Sequence, residues 1–208
     1  MVRSNIIILL LIFGFSMAKG QSNTQEWIEV NGIKWATRNI NTPGTFVTNP
    51  SDLGMFYQWN RDVGWVWNGN NKRPLIPSEP DSTWKVPHVD TSNWNKGRGV
   101  CPEGWHLPTI AEIKSLIGSG SFLGTLNNEK GNFFIGDINI GDKSNNKLFF
   151  PFGTLDKDGD PQNSMGVYGN IWGNNNGKPC NMGYQDGAAT LSNGNEGLGF
   201  YVRCVKNE

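Results

Sequence analysis

Downstream of one helical stretch, this chain has no apolar run longer than a β-strand. Asn132 to Ile135, Lys147 to Phe152, Gly166 to Trp172, Ala188 to Leu191 and Gly199 to Val205 are all short, and glycine splits them from one another. Pieces of that length bury apolar surface only by pairing sideways, so they read as strands. Near the start, Trp27-Ile-Glu-Val and Ile33-Lys-Trp-Ala flank Asn31-Gly32, the dipeptide of a type I′ hairpin turn. Met55 to Trp59 is aromatic-rich and bounded by Gly54 and Asn60-Arg61-Asp62, which predicts a further strand. Asn68 to Lys96, with Pro74, Pro77, Pro80 and Pro87, reads as a long excursion.

The one clear helix opens at Thr109, where Thr109-Ile-Ala-Glu112 has the form of a capping box behind Pro108. Ile113, Leu116 and Ile117 give it one apolar face, and Gly118 is placed to close it. The pattern predicts an α+β fold that is mostly β, with short antiparallel strands, one well-capped helix over about 109–117 and long irregular loops. No periodic repeat is visible, which excludes solenoids and propellers.

Lys and Arg number 18 against 18 Asp and Glu, so the formal net charge is zero and binding to nucleic acid by bulk charge is disfavoured. Nine tryptophans among 208 residues argue against a disordered chain. The first twenty residues read as an address: Arg3 precedes an apolar stretch from Ile6 to Phe13, followed by Ser16, Ala18 and Gly20, the order of a secretory signal peptide. Cleavage is placed after Gly20, with Ala18 nearly as good. The stretch is too short to span a membrane, and no Cys follows it to take a lipid. Residues 21–208 are expected to form a single domain, secreted or at the cell surface. In that setting Cys101, Cys180 and Cys204 can be oxidised, although three cannot all pair within one chain. Their spacing is poor for zinc, with only His88 and His106 to complete a site.

Cys101-Pro-Glu-Gly-Trp-His-Leu-Pro-Thr109, leading into the helix, resembles the hallmark segment of the Fibrobacter succinogenes major paralogous domain family. Gly199-Phe-Tyr-Val-Arg-Cys-Val205 is similar to that family's closing strand. Lys34-Trp-Ala-Thr-Arg-Asn39 and Gly54-Met-Phe-Tyr-Gln-Trp59 are similar to its opening strands. The resemblance spans Trp27 to Val205 and implies a C-type-lectin-like fold, which formylglycine-generating enzymes also approach. It further implies neighbouring strands near Cys101 and Cys204 and a disulfide between them, leaving Cys180 free or paired with another chain. Two segments depart from the family pattern, Gly169-Asn-Ile-Trp-Gly173 and Phe150-Pro-Phe-Gly-Thr154.

Asp156, Asp158 and Asp160 alternate like the first ligands of a calcium loop, but Pro161 and Val167 stand where an EF-hand requires Gly and Glu. An Asp-Gly turn at a solvated hairpin tip fits better. Glu79-Pro80-Asp81 is only a near miss to the calcium-lectin signatures. No organic cofactor is expected, and calcium is the one ion the resemblance keeps open. His88 and His106 have no catalytic motif around them, so the chain is read as a non-enzyme.

The most suggestive stretch is polar and C-terminal. Trp172, Asn174, Asn175, Asn176, Lys178, Asn181, Tyr184, Gln185, Asp186, Asn193, Asn195 and Glu196 combine amide donors and acceptors with flat aromatic faces. The expected function is a bacterial binding module that recognises a glycan or protein ligand through loops built from these residues, with Tyr184 as the exposed aromatic. A structural or tip subunit of a surface filament is the alternative, followed by an enzyme on the formylglycine-generating-enzyme-like fold.

Overall fold

A computed structural model describes residues 25–67, 84, 94–137, 146–161 and 163–208. The signal-peptide expectation for residues 1–20 lies outside them. So do His88, Glu79-Pro80-Asp81 and nearly all of the Pro-rich excursion, of which Trp84 and Trp94 are described and buried.

Among the described residues, three antiparallel sheets and one helix make up the fold. The first sheet has the order β1-β2-β10-β3, from Trp27–Val30, Ile33–Ala36, Val205–Lys206 and Trp105–His106. The second is β4-β5-β6, from Ser121–Leu126, Glu129–Ile135 and Lys147–Pro151, and the third is β7-β8-β9, from Gly169–Asn175, Lys178–Gln185 and Ala188–Asn193. Among the described residues the one helix, α1, runs Ile110–Gly118. The mostly β, α+β class is therefore observed.

Turn chemistry explains the hairpins. Asn31-Gly32, Asn127-Asn128, Asn176-Gly177 and Asp186-Gly187 all have positive φ at both central residues, and each joins two strands across two residues. That backbone turns a chain with the twist its strands require, and Asn, Asp and Gly adopt it at least cost. The helix starts as expected. The Thr109 Oγ1 accepts from the Glu112 N–H at 3.3 Å, while Glu112 Oε2 accepts from the Thr109 N–H at 2.6 Å. Its end differs: Gly118 is the last helical residue, Ser119 caps it in the right-handed region, and Gly120 takes the positive φ.

Two expected strands prove to be threads instead. Within Met55 to Trp59, Phe56 bridges Trp65 while the next residue, Tyr57, bridges Phe200, so no ladder develops. From Gly199 to Val202, successive residues bond to Leu155, to Tyr57, to Asn170 and Trp172, and to Ile40, before Val205 begins β10. This closing thread is buried throughout. At its centre Arg203 is fully buried, donating to Asn39 Oδ1 at 2.8 Å, the Ala36 carbonyl at 3.1 Å and the Phe149 carbonyl at 3.0 Å, with its guanidinium 4.3 Å from the Phe150 ring centre. Burial pushes that guanidinium down to about 9.

Cys101 and Cys204 are joined, closing a sequence separation of 103 residues. On the chain-entropy account such a loop contributes about 4–5 kcal/mol, so reduction should lower the melting temperature clearly, and mass mapping should find this bridge and no other.

His106 sits between Glu112 Oε1 at 2.9 Å and Asn207 Oδ1 at 2.7 Å, tying α1 to the segment after β10. The bond to Glu112 raises its pKa above the ordinary value, outweighing the opposing effect of burial, with Asn207 adding to the rise. A histidine with a raised folded pKa contributes stability that is complete below about pH 6.5 and is lost as pH climbs through the folded value. Denaturation midpoints should therefore fall as the pH is raised above about 6.5, and His106→Gln should flatten that fall.

Candidate functional site

The sequence Cys180-Asn-Met-Gly-Tyr-Gln185 alternates in and out with a period of two, as a half-buried strand does. Cys180, Met182 and Tyr184 point into the core, whereas Asn181, Gly183 and Gln185 lie on the opposite face. Opposite them in register stand Asn170 on β7, facing Gly183, and Thr190 and Ser192 on β9, facing Gly183 and Asn181. The core face of this sheet packs on α1. Gly173 makes room there, since a Cβ at that position would lie 2.4 Å from the Ile113 side chain.

This corrects the expectation of ligand loops after Trp172, because the stretch is strand rather than loop. Tyr184 is 3% exposed and its hydroxyl donates to the Pro151 carbonyl at 2.8 Å, so it cannot be the exposed aromatic. Trp172 is fully buried, with its Nε1 donating to the Tyr57 carbonyl at 2.6 Å and its ring against Trp59 and Phe200. Asn174 is buried too, donating to the Trp94 carbonyl at 2.7 Å and accepting from the Gly177 N–H at 2.7 Å. Asn181 is 8% exposed and donates to Asn170 Oδ1 at 2.8 Å.

The other expected residues do not converge. Asn176, Lys178 and Asn193 are exposed and Asn175 half-buried at the β7–β8 turn end, while Gln185 and Asp186 are exposed at the far end of β8. Eight residues at about 3.3 Å each separate those ends by roughly 25 Å. Asn195 and Glu196 are exposed beyond β9, and Asn195 Oδ1 holds a local turn by accepting from the Gly197 N–H.

Each end has its own cleft. One, of about 680 Å³, lies between α1 and the β7–β8 turn and is lined by Lys96, Thr109, Lys114 and Asn174 to Gly177 among others. Much of its polar lining is already committed: Thr109 to the helix cap, Asn174 to Trp94 and Gly177, and His106 to Glu112 and Asn207. The other, of about 530 Å³, opens on the outer face of β7-β8-β9. There Tyr168, Gln185, Thr190 and Ser192 line the opening, and no side-chain hydrogen bond joins any of them to another described residue. Asn170, Asn181 and Asp186 complete its polar rim. The Asp186-Gly187 turn that closes this end is held rigidly, with the Gly187 N–H donating to Asn132 Oδ1 and Ser121 Oγ donating to the Gly187 carbonyl.

Tyr168, Asn170 and Thr190 thus belong to the candidate site without having stood out in the sequence, whereas Ser192 opens the polar run Ser192 to Glu196. The period-two alternation through β8 was the signal that could have found their face. Among the described residues no group of three or more His, Cys, Asp or Glu is placed to hold a metal ion, and no helix is long and apolar enough to cross a membrane. Asp156 ties its own loop, its Oδ1 accepting from the N–H groups of Asp158 and Asp160 at 2.8 and 2.9 Å. No family model, curated protein or solved structure matches the chain.

Cys180 is a free thiol inside β8, 1% exposed, which leaves no route to a bridge with another chain while the sheet is intact. Burial pushes the thiol up to about 11. A thiol reagent at about pH 8 should therefore leave the native protein unlabelled, and one equivalent should react once the chain is denatured.

Proposed function

We propose that this chain is an exported, C-type-lectin-like binding module, non-enzymatic, that recognises a polyhydroxylated ligand on the outer face of β7-β8-β9. The observation that carries this reading is that the side chains of Tyr168, Gln185, Thr190 and Ser192 in that cleft make no hydrogen bond to another described residue. Amides and hydroxyls are held there on paired strands, with Tyr168 half-buried at the edge to supply a flat apolar face. Weak polar contacts discriminate in groups, and a rigid scaffold spares the ligand the cost of ordering them. Export is supported by the composition of residues 1–20 and by the disulfide. Membership of the Fibrobacter succinogenes major paralogous domain family is supported by the segments Cys101 to Thr109 and Gly199 to Val205, which lie side by side with their cysteines joined.

A filament subunit is the second reading, favoured by Phe122, Leu123 and Ile135, which are 37%, 50% and 48% exposed on β4 and β5.

Screening the protein on a glycan array and titrating its strongest hit tests the proposal. Tyr168→Ala should weaken that hit by about tenfold, roughly 1.4 kcal/mol, with the melting temperature held. Self-assembly that Leu123→Lys abolishes, together with an empty array, would favour the filament reading instead.

A further inference from the structure

The cleft on β7-β8-β9 has a charge signature that narrows its ligand. Resting on the binding reading above, we infer that the cleft takes a neutral glycan and rejects saccharides bearing carboxylate or sulfate groups. Among the residues lining it, Asp186 is the one that carries a charge at neutral pH, and no Lys, Arg or His belongs to the lining. An anionic sugar is held by charge-assisted N–H donors, from Arg or Lys or from unpaired backbone amides. The backbone amides of β8, the central strand, are spent, because it is bonded to β7 on one side and to β9 on the other along its length. Asp186, exposed at the hairpin end, adds repulsion toward a second carboxylate.

What the cleft does offer suits sugar hydroxyls. The amides of Asn170 and Gln185 and the hydroxyls of Thr190 and Ser192 both donate and accept, as each hydroxyl of a neutral sugar does. Gly183 forms the floor between two of them. A Cβ there would lie 3.1 Å from Asn170 Oδ1 and 3.7 Å from Thr190 Oγ1, so glycine leaves a depression in which a ring can approach the backbone. A protein partner fits less well. Protein interfaces draw their energy from buried Trp, Tyr and Arg anchors, and this lining has no Trp or Arg and a single half-buried Tyr.

The test compares the parent with Thr190→Tyr, which fills the cleft from an exposed strand position that suits tyrosine. Both are screened on an array of neutral saccharides and their uronic or sulfated counterparts. One uronic saccharide and its carboxyl-reduced form are then titrated calorimetrically. The expected result is neutral hits that weaken about tenfold or more in Thr190→Tyr, with the reduced form bound at least about tenfold tighter than the acid. Affinity should change by less than about twofold over a tenfold range of ionic strength. Acidic saccharides bound as tightly as the neutral ones, yet still weakened by Thr190→Tyr, would overturn the neutral-glycan inference and leave the cleft as the binding face. An array whose hits ignore Thr190→Tyr, or an empty one, would overturn the binding reading itself. Gln185→Ala, a truncation at an exposed position, replaces Thr190→Tyr if the larger side chain lowers the melting temperature.

Discussion

A single buried cation organises the centre of this protein. Removing a guanidinium from water costs several kcal/mol unless its donors are met, and Arg203 meets that cost with three neutral oxygens from two separate parts of the chain. Asn39 follows β2, Ala36 ends it, and Phe149 lies in β6, so one side chain fixes the distance between the first and second sheets. The Asn39 amide is held in turn by donating to the Leu53 carbonyl. The residues around Arg203 in the thread are aromatic or apolar, and Phe150 lies against the guanidinium face, where a ring's negative quadrupole favours a cation.

How much of this was legible in the sequence depended on whether the information was local. The Thr109 to Glu112 cap and the Asn31-Gly32 turn are written in adjacent residues, and both form as read. Asn176-Gly177 and Asp186-Gly187 obey the same turn rule, but a surrounding run of Asn and Gly made them look like ligand loops rather than hairpin ends. Once those turns are accepted, the period of two through Cys180 to Gln185 follows, with Tyr184 on the buried side. Trp172 could not be placed that way. By alternation it shares the face of Asn170, yet it is covered because Tyr57, Trp59 and Phe200 reach it from distant parts of the chain. The threads at Met55 to Trp59 and Gly199 to Val205 have strand composition, and only their scattered partners decide that no ladder forms.

The same division creates the candidate site. The outer face of β7-β8-β9 begins as one continuous surface, and its lower half is taken into the core by Trp172 and by Asn174 under Trp94. Among the described residues nothing is bonded over the upper half, and its side chains are short enough to leave a cleft rather than a ridge. One face of the same sheet thus serves packing at one end and leaves an open cleft at the other, with the change falling at the Trp172–Asn181 pair.

The closing thread also imposes an order on how the molecule comes into being. Residues 199–205 bond to β2, to Ile40, Tyr57 and Leu155, and to β7, all of which leave the ribosome earlier. Until they arrive the first sheet lacks its third strand, Cys101 lacks its partner, and the donors that would satisfy Asn39 and Ala36 are missing. Contacts so remote in sequence make folding slow as well as late. Closure of the first sheet and of the disulfide therefore waits on residues 199–205, in whatever order the second and third sheets form.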